Sequence, residues 1–130
     1  MELSIDLIKS FLINELDPDL IYIFGSYAKN RVRENSDIDI AFLSDKYFNE
    51  YETFLTAQKL ADKLKCEVDI IDLKQASTVL KVQVIQGQLI YNRDNNKKML
   101  FEMQAFRDYA KLNEERKEVL QKIQKSLENG

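Results

Sequence analysis

Apolar side chains at Leu3, Ile5, Leu7, Ile8, Phe11, Leu12 and Leu16 recur every three to four residues. That spacing puts one face of a helix against a core. Ser4 is placed to cap this helix. Asp17-Pro18-Asp19 stops it, because proline lacks an N–H and restricts the residue before it. Leu20-Ile21-Tyr22-Ile23-Phe24 is then apolar without interruption, which predicts a strand covered on both faces. Gly25 ends that strand. Residues 26–29 have room for a short helical turn that Asn30 can close, residues 31–36 read as a polar loop, and residues 37–43 as a second strand.

Helical spacing returns over residues 47–64, through Phe48, Tyr51, Phe54, Leu55, Ala57, Leu60, Ala61 and Leu64. Residues 67–73 read as a third strand, 75–86 as a helix stopped by Gly87, and 88–91 as a short fourth strand. Beyond a polar hinge at residues 92–96, the apolar positions from Met99 to Leu127 support one long helix or a pair broken across residues 113–118. The order α-β-β-α-β-α-β-α predicts one compact α/β domain over residues 1–130, a core of 1–92 with a helical extension of 93–130. No repeat or low-complexity tract is evident.

Composition narrows the chemistry more than the fold. The 130 residues are 45% hydrophobic and 32% charged, ordinary material for a globular core. A formal net charge of −3 gives no electrostatic reason to expect direct nucleic-acid binding. There is no histidine and a single cysteine, Cys66. Ser-His-Asp and Cys-His catalysis, histidine metal sites and an internal disulfide are therefore excluded. Any catalysis must use carboxylates and hard cations. No apolar run approaches the roughly 20 residues of a membrane span, so the expected location is cytoplasmic.

The candidate chemistry lies between the first two strands. Gly25-Ser26 follows the first strand, and Asp37 and Asp39 open the second after ten intervening residues. Gly25 lets backbone approach a phosphate, and Ser26 offers a hydroxyl and an N–H. Asp37 and Asp39 are two apart on a strand and share a face. A charge between Ile38 and Ile40 is costly unless a cation or ion pair neutralises it. Two such carboxylates can bridge divalent cations, which neutralise phosphate charge. Asp69 sits between Val68 and Ile70 in the same way and is chosen as the third carboxylate over Glu67, which enters from a polar edge. Asp72, near the strand exit, reads as a solvated bystander.

Gly25-Ser26, Asp37-Ile38-Asp39 and Asp69 together resemble the polymerase-β-type nucleotidyltransferase superfamily in its minimal form. Gly25-Ser26-Tyr27-Ala28, Arg33, Ser36-Asp37-Ile38-Asp39, residues 68–73 and Gly87-Gln88-Leu89-Ile90-Tyr91 are similar to the MntA-type antitoxins. The resemblance implies a small mixed sheet flanked by helices with a long C-terminal helical extension. It implies transfer of AMP from ATP, with two Mg2+ ions, to a tyrosine hydroxyl of a HEPN-domain toxin, a ribonuclease silenced by the modification. By that resemblance Gly25, Ser26 and Arg33 hold the triphosphate, while Asp37, Asp39 and Asp69 are the catalytic metal ligands. Lys29-Asn30 departs from the Arg-Gly that the family often carries there.

Other residues read as structural. Phe11, Phe24, Phe54 and Phe106 are expected in the core, and Cys66 buried and inert. The tyrosines either cap the core or line an adenine pocket. Two rival functions remain open on the sequence. One is transfer to a small hydroxylated molecule or an RNA end; the other is a non-catalytic module that masks a toxin.

Overall fold

A computed structural model describes residues 4–25 and 37–129. In them the chain runs α1 (Ile5–Leu16), β1 (Leu20–Phe24), β2 (Ile38–Leu43), α2 (Glu50–Leu64), β3 (Val68–Asp72), α3 (Thr78–Ile85), β4 (Gln88–Asn92) and α4 (Asn95–Asn129). This is the order that the hydrophobic pattern predicts. The sheet is mixed, in the order β3-β2-β1-β4. Strand β1 is antiparallel to both its neighbours, and β2 is parallel to β3. One end of the sheet therefore gathers the end of β1 with the starts of β2, β3 and β4. The start of β1 and the ends of the other strands lie at the opposite end.

Local chemistry sets the element boundaries. The Ser4 hydroxyl accepts from the Leu7 N–H at 3.2 Å and starts α1. Asn49 and Glu52 form a capping box, so α2 starts at Glu50 rather than Tyr47. A 3-10 turn takes Leu73–Gln75, and Ser77 caps α3 after it, so that helix is shorter than expected. Gly87 follows α3 for a reason of space, not of left-handed backbone. A Cβ there would come to 2.9 Å from Phe24 Cβ.

Both faces of the sheet are covered. Helices α1 and α2 pack on Ile21, Ile23, Ile38, Ile40 and Phe42. On the other face Leu20, Tyr22, Phe24 and Ala41 meet Val84 of α3 and Phe101 of α4. Every residue of β1 is buried, as its unbroken apolar run requires.

Some sequence expectations change. The buried face of α2 runs through Thr53, Thr56, Ala57 and Leu60. The two threonine hydroxyls donate to the carbonyls of Asn49 and Glu52, which makes their burial tolerable. Phe54 and Phe106, expected as core residues, are exposed, whereas Phe24 is buried and Phe11 partly so. Helix α4 is one unbroken element of 35 residues. Its polar stretch at 113–118 is rich in glutamate, lysine and arginine, which propagate a solvated helix well.

Candidate active site

Gly25 closes β1 with a φ of 77°, a left-handed conformation that costs a residue with a Cβ about 1–2 kcal/mol. A Cβ at Gly25 would also collide with the Asp39 Oδ2. Two independent requirements thus hold this position to glycine. The carboxylate of Asp39 lies directly against the backbone turn.

Strand register assembles the rest. Phe24 pairs with Asp39 across β1 and β2, and Asp39 pairs with Asp69 across β2 and β3. Adjacent strands are about 4.8 Å apart, and register partners point to the same face. Asp37 precedes β2 on the parity of Asp39. The face is the one that α3 and α4 cover further along. Here, at the strand ends, Asp39 is half-buried, and Asp37 and Asp69 are exposed. This corrects the sequence argument for Asp69. It reads as a charge inside a core strand, but β3 is an edge strand and its side chain is open to solvent.

The electrostatics follow from crowding. Burial, then the charges of Asp69 and Asp37, push the Asp39 carboxyl above the usual carboxylate range. Glu67, set aside on sequence, shares a hydrogen bond with Asp37, and this with the Asp37 charge raises its pKa too. The parity it shares with Asp69 was the available signal. Burial and then Asp37 also raise the thiol of half-buried Cys66, consistent with an inert cysteine. Among the described residues, no lysine or arginine forms an ion pair with Asp37, Asp39 or Asp69.

Ser26, Arg33 and the Lys29-Asn30 departure lie outside the described residues. Asp72 is not the solvated residue expected. It is buried, its Oδ1 accepts the Lys74 N–H at 2.9 Å, and its Oδ2 has no partner among the described residues. It caps the 3-10 turn at the other end of β3, away from Asp39. Tyr22 settles one open alternative: it is buried and its hydroxyl donates to Glu102 Oε2 at 3.1 Å, which makes it a cap on the core.

The donor set suits a hard cation. Among the described residues no three acidic side chains are gathered closely enough to enclose an ion. Magnesium does not need such a cage, because it commonly takes one or two carboxylates and completes its shell with water and phosphate oxygens. Asp39 with Asp37 or Asp69 fits that pattern. A groove of about 430 Å³ runs beside β3, with Asp69, Phe54, Gln58 and Gln75 among its walls and no tyrosine among the described residues that line it. None of the described helices is long and apolar enough to cross a membrane.

Comparison with known proteins converges on one family. Residues 6–96 match the family model described as polymerase beta, nucleotidyltransferase. The chain is 38% identical over 105 residues to the protein adenylyltransferase MntA of Shewanella oneidensis, covering 80% of this chain and 75% of that protein. A crystal structure of a toxin-antitoxin with AMP-PNP contains a chain that matches with a TM-score of 0.85 and 33% identity, over 93% of this chain and 98% of that one. A tri-AMPylated Shewanella oneidensis HEPN toxin in complex with MNT antitoxin gives a TM-score of 0.76 and 31% identity, over 92% of this chain and 94% of the matched one.

Proposed function

The chain belongs to the polymerase-β-type nucleotidyltransferase family, in its MntA-type branch, and on that footing we propose that it is an antitoxin that adenylylates a partner HEPN-domain toxin. The donor is ATP, the acceptor a tyrosine hydroxyl of the toxin, and the setting the cytoplasm. Residues 1–92 form the catalytic core and 93–130 the extension. The relatives support this reading, since one is a protein adenylyltransferase and another is bound to an AMPylated HEPN toxin.

One observation carries the chemistry. Asp39, set against the Gly25 turn, has Asp69 as its register partner, and neither has a basic partner among the described residues. Two adjacent carboxylates left without a counter-charge are matched to a divalent cation. Mg2+ would be held by Asp39 together with Asp37 or with Asp69, and would neutralise triphosphate charge and polarise the α-phosphorus. Gly25 offers backbone to the triphosphate without a Cβ in the way, and Ser26 and Arg33 supply a hydroxyl and a cation to it. Exposed on the edge strand of the sheet, Asp69 is open to an incoming hydroxyl. It orients that hydroxyl and accepts its proton. The acceptor oxygen bonds to the α-phosphorus, the bond to the bridging oxygen of the β-phosphate breaks, and pyrophosphate leaves.

The test is direct. The protein is incubated with α-labelled ATP, Mg2+ and the HEPN-domain protein encoded beside it. Label should enter the HEPN protein, require Mg2+ and disappear with Asp39→Ala. Equal labelling by Asp39→Ala would remove the assignment.

A further inference from the structure

Helix α4 outruns the body of the molecule, and its course can be traced from its tethers. At its root Lys97 Nζ reaches Asp19 Oδ2 at 3.0 Å, and one turn on Glu102 receives the Tyr22 hydroxyl. Asp19 precedes β1 and Tyr22 is its midpoint, so α4 runs along β1 toward Gly25. Rise per residue is about 1.5 Å in a helix and 3.3 Å in a strand, so α4 draws level with Gly25 near Tyr109. Residues 113–129 make up about a further 25 Å of helix, all exposed. This arm leaves the molecule at the end of the sheet that carries Asp37, Asp39 and Asp69.

The arm is not polar all round. Ala105 is buried and Leu112 half-buried against the domain. Val119 follows at the same seven-residue step, and Ile123 lies five full turns above Ala105. Val119, Ile123 and Leu127 are 55%, 50% and 78% exposed, and Leu120 lies beside them. The side of α4 that packs on α3 and on the Tyr22 face of the sheet therefore continues past the sheet's end as an apolar stripe. Runs of apolar residues on an otherwise charged helix mark an interaction face.

We infer that this arm is the docking surface for the acceptor protein, holding it over the carboxylates between the Val119/Ile123/Leu127 stripe and the Gly25 end of the sheet. The occupant is the toxin of the proposed function, and the inference rests on that reading. The common direction of arm and site selects it. A protein delivering a side-chain hydroxyl to Asp69 must approach from beyond the strand ends, where the arm projects. A second copy pairing through the arm alone would bury one stretch of about 25 Å of helix, short of the roughly 1,200 Å² of a stable interface.

The test uses the full chain with Val119→Lys and Ile123→Glu together, solvent-exposed changes that keep helix propensity. The HEPN-domain protein encoded beside the chain is the probe. Its affinity and the steady-state labelling rates are measured along with ATP binding and the helical circular dichroism. The expected result is affinity for the HEPN protein weaker by on the order of tenfold or more, seen as a higher KM with ATP binding and helicity unchanged. Unchanged affinity and KM would overturn the docking surface while leaving the adenylyltransferase reading intact. Binding by the native chain that the double variant loses, without AMP transfer by either, supports the surface and removes that reading. If light scattering shows that the double variant breaks a dimer of this chain while HEPN binding persists, the occupant is a second copy and the inference fails.

Discussion

Acidic side chains gather at both ends of the sheet, and the two ends treat them in opposite ways. At the start of β1, Asp19 is buried with Arg93 Nη2 at 2.7 Å and Lys97 Nζ at 3.0 Å, while Arg93 also binds Asp17 and Lys97 also binds Asp45. At the end of β1, Asp37, Asp39, Glu67 and Asp69 crowd together with no such partners among the described residues. The titrations diverge accordingly. Burial raises the Asp19 pKa, but the hydrogen bonds and charges of Arg93 and Lys97 outweigh it and leave the carboxyl below its usual range. Arg93 lowers Asp17, whereas Asp39 and Glu67 are raised. An acidic cluster supplied with its own cations is a joint, here pinning the root of α4 to β1. One with no such partner among the described residues is where the proposed function places a cation from outside.

The comparison breaks most visibly at Asp39. Asp39→Ala should lower AMP transfer by on the order of 10²–10³-fold, as when a transition-state charge loses its stabilising group. Thermal stability should hold or rise, because a repulsion is removed. Loss of fold with loss of activity would show that Asp39 belongs to a joint after all. The mirror experiment is Asp19→Ala, which removes a buried acceptor of three charged hydrogen bonds. It should cost about 2–4 kcal/mol in denaturant unfolding, with AMP transfer per folded molecule retained.

Gly25→Ala tests how tightly turn and carboxylate fit. It should destabilise by at least the ~1–2 kcal/mol of a left-handed alanine and lower activity as well, since Asp39 must move. A smaller effect distinguishes the ends by ligand. At ten times its Kd, Mg2+ should stabilise the native chain by about 1.4 kcal/mol, read as a shift in Tm, and should not stabilise Asp39→Ala. The smallest test is pH. The folded pKa values of Asp17 and Asp19 lie below the ordinary 3.8, so the unfolded chain binds more protons in that window. Their contribution is complete above the unfolded value and drains away as pH falls through it toward the folded one. Unfolding midpoints of Asp19→Asn should therefore vary less with pH below about 4 than those of the native chain.

The strands and the helix order were legible in the sequence because each rests on local periodicity: the unbroken β1 run, the three-to-four spacing of α1, the caps at Ser4 and Asn49. So was the kinship of Asp37 and Asp39, which one strand's alternation fixes. Side-chain periodicity alone misplaces Phe54 and Phe106, because it shows that a helix has an apolar face without showing how much of it a neighbour covers. It also misplaces Asp72, which is buried and caps the 3-10 turn that follows β3.

By itself the sequence determined the elements, the absence of imidazole chemistry and the carboxylate set from which a site could be drawn. Only the tertiary structure decided that Asp69 stands beside Asp39, since a parallel pairing between strands separated by α2 is invisible to local pattern. It also decided which acids are neutral joints and which are open. The cations that answer Asp17 and Asp19 come from Arg93 and Lys97, more than seventy residues away. Coulomb energy depends on distance in space, and distance along the chain carries no record of it.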